Sequence, residues 1–194
     1  MKKIAFFVSG NGTNMENLVK EIQAGRIQAE AALVVSDNPA AGALEKAADL
    51  KVKTAVVNRK DFESKSAFER GIIDILRQEK IDLVCLAGFM KILSADFVNE
   101  YYGKIINIHP AYLPQFPGAH AIQDAYDAKV SETGVTVHFV TPEVDAGPII
   151  LQRKVPVDTE EKIELLEERV HALEYELYPE ALRKVLAGEV RMDK

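Results

Sequence analysis

Lys3-Ile4-Ala5-Phe6-Phe7-Val8-Ser9-Gly10-Asn11-Gly12-Thr13-Asn14 is the stretch that decides the fold. Ile4 to Val8 are apolar without interruption, the pattern of a strand covered on both faces, as strands of parallel sheets are. Ser9 to Asn14 then break the run with glycines and small polar residues. Met15, Leu18, Val19 and Ile22 follow at helical spacing. A strand, a tight turn and an amphipathic helix in that order begin a crossover unit whose next strand lies parallel to the first.

The same alternation continues outward. Strands are predicted at Lys3 to Val8, Ala32 to Ser36, Thr54 to Val57, Asp82 to Ala87 and Lys104 to His109, and Phe68, Ile72, Ile75 and Leu76 line a second helical face. Pro110, Pro114, Pro117 and Gly118 then interrupt any regular element and mark a functional loop. A short helix is expected around Ile122 to Ala128. Gly134 to Thr141 and Pro148 to Val157 are extended runs joined by a turn too short for a crossover, so they pair antiparallel. A last helix is expected from Asp158, with an acidic cap and Glu161 three residues on, and Ile163, Leu166, Val170, Leu173 and Leu177 as its stripe. Pro179 is expected to kink or interrupt it. The fold class is α/β: a Rossmann-like open, mostly parallel sheet with helices on both faces and an antiparallel C-terminal strand extension.

The 194 residues suit one domain with a sizeable core. Apolar residues make up 47% and charged residues 28%, ordinary for a soluble globule. The formal net charge of −6 disfavours non-specific contact with nucleic acid or anionic lipid. The single cysteine, Cys85, excludes an internal disulfide, and the four histidines have no zinc spacing, so a cytoplasmic location without a metal is expected. No apolar run approaches the ~18 residues of a membrane span, and Ile4 to Val8 is too short for a signal peptide.

Glycines between a strand and a helix let backbone N–H groups point outward, and those donors together with the helix dipole suit a phosphate. Either Thr13 or Asn14 is placed to cap the helix. An unliganded turn is an equal alternative on this segment alone. Met15 stands where the dinucleotide fingerprint needs a third glycine, although Asp37 resembles its ribose-binding acid, and no P-loop lysine follows. A phosphate monoester fits best.

Lys104 to His109 alternates, so Asn107 and His109 share one face of a strand that Pro110 ends. An amide beside an imidazole suits acyl transfer, with the amide N–H₂ meeting a developing oxyanion and the imidazole handling a proton. Asp145, in the turn Pro142 to Pro148, is a candidate to hold His109 in its charged form. A polar strand end and a turn-forming Asp are the plainer alternatives. His138, sharing a face with Thr136, reads as structural or supporting. His120 lies in the proline loop within reach of substrate. His171 and Glu174 read as solvated, and Cys85 as core.

Five segments together resemble the phosphoribosylglycinamide formyltransferases, folate-dependent enzymes of purine synthesis. They are Ser9 to Asn14, Leu86-Ala87-Gly88-Phe89-Met90-Lys91-Ile92-Leu93, Asn107-Ile108-His109-Pro110, Val137-His138-Phe139-Val140 and Asp145-Ala146-Gly147-Pro148. The resemblance covers essentially the whole chain. It implies one formyltransferase domain over residues 1–194, with 1–100 as the phosphate- and nucleotide-binding half and 101–194 as the folate-binding and catalytic half. The substrates it implies are glycinamide ribonucleotide and the co-substrate 10-formyltetrahydrofolate. Asn107, His109 and Asp145 are the implied catalytic set. Gly12, Thr13, Asn14, Pro110 and Glu174 are implied to bind the ribonucleotide. Lys65, Met90, Lys91, Ile92, Leu93, Asn107, Val140, Thr141 and Val144 are implied to bind the folate. Lys65 and Lys91 stand where many relatives carry arginine, and His171 where many carry glutamine. A homodimer is compatible with the resemblance. Formyl-folate hydrolysis and a non-catalytic nucleotide sensor are the rival functions. The related methionyl-tRNA formyltransferases are expected to be longer, with an added C-terminal domain, and the hydrolases to carry an N-terminal regulatory domain.

Overall fold

The computed structural model describes residues 1–192 and divides into two compact units, one spanning Met1–Ile106 and one beginning at Asn107. In the first unit, β1 (Lys2–Val8), β2 (Ala29–Ser36), β3 (Thr54–Val56) and β4 (Leu83–Leu86) run parallel. The crossovers carry α1 (Thr13–Gln23), α2 (Gly42–Asp49) and α3 (Lys65–Gln78), and α4 (Ala95–Glu100) follows β4. Ile4 to Val8 are fully buried, as a strand flanked on both sides and covered on both faces must be. From β1 the chain proceeds to β2 and β3 on one side and returns to β4 on the other. The carboxyl ends of β1 and β4 therefore flank the point where strand order reverses, the place where open α/β sheets hold ligands.

β5 (Ile105–His109) leads into the second unit, which holds α5 (Ala121–Asp127), β6 (Glu132–Phe139), β7 (Ile149–Pro156) and α6 (Ile163–Ala187). The strand order of the sheet is β3-β2-β1-β4-β5-β6-β7. β6 and β7 pair antiparallel, with a register shift between Val137 and His138. α6 packs on both strands and buries Leu166, Val170, Leu177, Tyr178, Ala181 and Leu182.

Several local expectations are corrected. β2 starts at Ala29, and the other strands and α5 shift by one or two residues at their ends. α2, α4 and a 3₁₀ turn at Arg59–Asp61 have no counterpart in the pattern reading. α2 buries only Ala43 and Ala47, side chains too small to make a hydrophobic stripe. α6 begins at Ile163, not Asp158, because the Asp158 carboxylate accepts from Glu160 N (2.9 Å) in a local turn, and Tyr126 Oη donates to Glu161 O (2.5 Å) beside it. Pro179 neither breaks nor ends α6. Buried Leu177, Tyr178, Ala181 and Leu182 hold the helix together across the one missing N–H.

Neither Thr13 nor Asn14 caps α1. Its cap is Gly12, in the left-handed region at φ 69°, which has no side chain to bond the helix N-terminus. A Cβ at Gly12 would collide with the Cβ of Ala43 on α2, so the position is closed to larger residues on both counts. Gly12→Ala is expected to lower stability by about 1–3 kcal/mol, read from denaturant midpoints at constant m. An unchanged midpoint would show that α2 yields.

Candidate active site

The second unit gathers a polar cluster from three segments. Along β5, Ile106 and Ile108 are buried in the core while Asn107 and His109 take the opposite face, as period two requires. His109 is 4% exposed, and each of its ring nitrogens faces an acceptor: Nε2 lies 2.8 Å from Phe116 O and Nδ1 lies 3.5 Å from Asp145 Oδ2. Gly118 N donates to the same carboxylate oxygen at 2.8 Å. The proline loop thus supplies one backbone group to the imidazole and another to the carboxylate. Gly118 makes the second contact at φ 95°, which excludes most side chains.

The base of that loop is fixed to β6. Buried Thr136 Oγ1 donates to Ala111 O (2.7 Å) and accepts from Leu113 N (3.1 Å), and Gln152 Nε2 reaches Leu113 O (3.2 Å). Asp145 itself adopts φ 53°, a left-handed conformation that Asp tolerates better than most residues.

His138, read from sequence as structural or supporting, is a member of this cluster. Nε2 lies 3.3 Å from Asn107 Nδ2 and 3.6 Å from Asp145 Oδ1, while Nδ1 bonds Phe139 O at 2.8 Å. The pairing of β6 with β7 shifts register between Val137 and His138. Burial raises the Asp145 pKa, but the hydrogen bond from His138, the Gly118 N–H and the attraction of both imidazoles outweigh it, so the net shift is downward from 3.8. The carboxylate is ionised at neutral pH.

Pro110 is half-buried at the head of the loop. Glu174 is 5% exposed and accepts from His171 Nδ1 at 2.9 Å, so of the two residues that spacing suggested to be solvated only His171 is exposed. His120 is exposed at the start of α5. Val140 and Thr141 are half-buried, and Val144 is exposed at the tip of the turn.

The first unit carries the glycine turn. The turn is fixed by Ala43 N donating to Gly10 O (3.1 Å), and α1 starts at Thr13 without a side-chain cap, an arrangement suited to an anion at its N-terminus. After β4, Met90 and Ile92 are 69% and 64% exposed, unusual for side chains of that size, whereas Leu93 is buried. Lys91 Nζ lies 3.5 Å from the buried Asp37 carboxylate, and Lys65 Nζ lies 3.9 Å from buried Glu69. Both lysines are paired. Cys85 is buried, and no cluster of metal-ligating side chains occurs among the described residues. No described helix is long and apolar enough to cross a membrane.

A parallel sheet with ligand-binding features at its strand ends and an Asn-His-Asp cluster defines a group-transfer enzyme class, and comparison with known proteins specifies it. The family model described as formyl transferase matches residues 2–182, and the chain belongs to this family. It is 40% identical to the phosphoribosylglycinamide formyltransferase of Bacillus subtilis over the full length of both chains. It is also 40% identical to the human trifunctional purine biosynthetic protein adenosine-3, covering 98% of this chain and 19% of that one. Among solved structures, glycinamide ribonucleotide transformylase 1 from Symbiobacterium toebii aligns with a TM-score of 0.96 at 38% identity, over 100% of this chain and 91% of its own. The Geobacillus kaustophilus enzyme of the same name aligns at 0.93 and 48% identity, over 96% and 99%.

The hydrogen bond with Glu174 raises the His171 pKa above 6.5, partial burial opposes it, and attraction to Glu174 and Glu167 adds to the rise. The stabilisation is therefore complete below 6.5 and is lost as pH climbs through the raised folded value. NMR titration is expected to place the His171 midpoint above 6.5 and to return it towards that value in Glu174→Gln. A midpoint indifferent to the substitution would dissolve the pair.

Proposed function

We propose that the chain transfers the formyl group of 10-formyltetrahydrofolate to the amine of phosphoribosylglycinamide, in the synthesis of purines. The observation that carries this reading is the convergence of Asn107, His109 and Asp145 within a chain 40% identical, end to end, to a relative of that name. Hydrolysis or ligand sensing has no comparable support, and the uncapped glycine turn favours a phosphate-bearing acceptor over water.

In the reaction the acceptor amine attacks the formyl carbon, and the C=O electron pair moves onto oxygen. An N–H of the Asn107 amide and Nε2–H of a cationic His109 then donate to that oxyanion. His109 suits the role because the Asp145 carboxylate sits at its Nδ1 and compensates the charge in a nearly water-free setting. Nε2 lies against Phe116 O, so the oxyanion takes the place of that carbonyl, and the proline loop moves off His109 as the formyl group arrives. The amine proton leaves by way of a water held at Asp145 and reaches N10 of the folate as the bond from the formyl carbon to N10 breaks. The atoms balance: one C–N bond forms, one breaks, and one proton is relayed.

Gly12, Thr13 and Asn14 bind the phosphate in this reading, with Pro110 and Glu174 against the rest of the ribonucleotide. In the same reading Met90, Lys91, Ile92 and Leu93 of the first unit and Val140, Thr141 and Val144 of the second are assigned to the folate, Asn107 to its formyl group and Lys65 to its acidic tail. Exposed Met90, Ile92 and Val144 are apolar surface that a pterin would cover. The reaction is one of a cytoplasm, and no metal enters any step.

His109→Ala and Asp145→Asn are each expected to lower kcat by about 10²–10⁴-fold, followed by folate absorbance, with cooperative unfolding retained. Turnover within a few-fold of the parent in either variant contradicts the assigned roles. Because the Asp145 pKa lies below 3.8, no loss of kcat/KM from its protonation is expected between about pH 5 and pH 8. A carboxyl ¹³C titration of Asp145 inside that window would contradict its assignment as the permanent anion.

A further inference from the structure

The chemistry described so far leaves one buried polar network in the first unit unused. Ser9, the residue that ends β1 and begins the glycine turn, is 9% exposed and fully engaged. Its Oγ donates to Asp37 Oδ1 at 2.6 Å and accepts from Met90 N at 2.8 Å. Its own N donates to Gly88 O at 3.1 Å, and its carbonyl accepts from Asn38 Nδ2 at 3.1 Å. The second oxygen of Asp37 faces Lys91 Nζ at 3.5 Å, where the Asp37 side chain is 6% exposed and the Lys91 side chain 48%. One hydroxyl and one carboxylate thus tie the root of the glycine turn to the backbone and the cation of the segment after β4.

Such a segment needs tying. Gly88 lies at φ 82°, Met90 and Ile92 expose apolar side chains, and no regular element holds the backbone from Gly88 to Leu93. A neutral residue at 37 would serve Ser9 equally well as an acceptor. The carboxylate adds a fixed counter-charge for Lys91, which orients a flexible, strongly hydrated cation that otherwise ranges over many rotamers.

We infer that Ser9 and Asp37 are positioning residues for the folate co-substrate, Ser9 through the Met90 N–H and Asp37 through Lys91. The inference rests on the proposed function for the identity of the ligand. The link between Ser9 and Met90 stands apart from that identity. Neither residue touches the reacting atoms in this account, so their loss acts on folate binding and not on the formyl-transfer step.

The test compares Ser9→Ala, Asp37→Leu and Asp37→Asn with the parent enzyme. Ser9→Ala and Asp37→Leu are expected to raise KM for 10-formyltetrahydrofolate about tenfold and to leave kcat at saturation within about twofold, the signature of lost binding without lost chemistry. Asp37→Asn keeps the acceptor for Ser9 and removes the counter-charge that faces Lys91. It is expected to raise KM about threefold, less than Asp37→Leu because only the Lys91 contribution is lost, and a KM equal to the parent's overturns the role of Asp37 through Lys91. Unchanged KM in Ser9→Ala, or a fall in kcat with KM unchanged, overturns the inference.

Amide hydrogen exchange on the unliganded protein supplies a second readout that needs no substrate. Ser9→Ala should speed exchange at Met90 about tenfold relative to Ala87, whose N–H bonds Phe7 O at 2.9 Å and so reports on the sheet itself. Equal acceleration at both positions signifies general destabilisation and overturns the positioning role, as does no acceleration at either. Should the parent enzyme transfer no formyl group while Met90 alone responds to the substitution, the functional reading falls and with it the folate assignment. The Ser9 tie would then stand.

Discussion

Everything proposed for the second unit depends on keeping one carboxylate charged where water is largely excluded. The Asp145 side chain is 10% exposed, and a carboxylate in that position protonates unless its surroundings repay the lost hydration. Three groups do so here: the Gly118 N–H at 2.8 Å, and the rings of His109 and His138 at 3.5 and 3.6 Å. The His109 contact is longer than a strong hydrogen bond, so its attraction is mainly one of charge across a low-dielectric gap. Such a pair keeps its electrostatic bias while leaving His109 room to shift towards a developing oxyanion. A short bond would hold it in place.

The proline loop is the second half of that constraint. Its backbone serves both members of the pair, through Phe116 O and Gly118 N, and Thr136 and Gln152 clamp its base at Ala111 and Leu113. The clamp is buried and well satisfied, whereas residues 117–120 beyond it are exposed. A loop fixed at its root and exposed at its tip can withdraw a carbonyl from His109 without disturbing the strand that carries the imidazole. The unlike burial of root and tip thus fits a loop that must both orient the ring and make way for substrate.

The parts of this arrangement that were legible in the sequence are those set by period and by glycine or proline. Unbroken Ile4 to Val8 announced a strand buried on both faces, and alternation from Lys104 put Asn107 and His109 side by side. The turn around Asp145 was readable, whereas its closeness to His109 was only a guess, because contacts between distant segments leave no local pattern. His138 reads as structural or supporting from its face, but its nearness to Asn107 and Asp145 joins segments distant in the chain, which no local pattern records. Ser9 was seen as part of a glycine turn and Asp37 as a ribose acid. Their mutual bond depends on β1 and β2 being neighbours with Val8 opposite Ser36. The expected caps at Thr13 and Asn14 fail because Gly12 takes the cap position, and the one at Asp158 fails because its carboxylate accepts from Glu160 N in a local turn.

In the first unit the same physics explains why its polar groups lie where they do. Ile4 to Val8, Leu33 to Val35 and Leu83 to Leu86 are buried, so unpaired polar side chains are costly there. Ser9 and Asp37 directly follow β1 and β2, and Gly88 lies two residues beyond β4, at the carboxyl ends of three adjacent strands. There they are near enough to satisfy one another and near enough to the edge to meet a ligand. Lys91 illustrates the compromise: Asp37 limits its motion, and the half of its side chain left exposed remains able to face an anion. A cation held by a buried partner offers less raw charge than a free one but arrives already oriented. Binding then costs less ordering entropy, which is the advantage a fixed counter-ion brings to a lysine that has no planar guanidinium of its own.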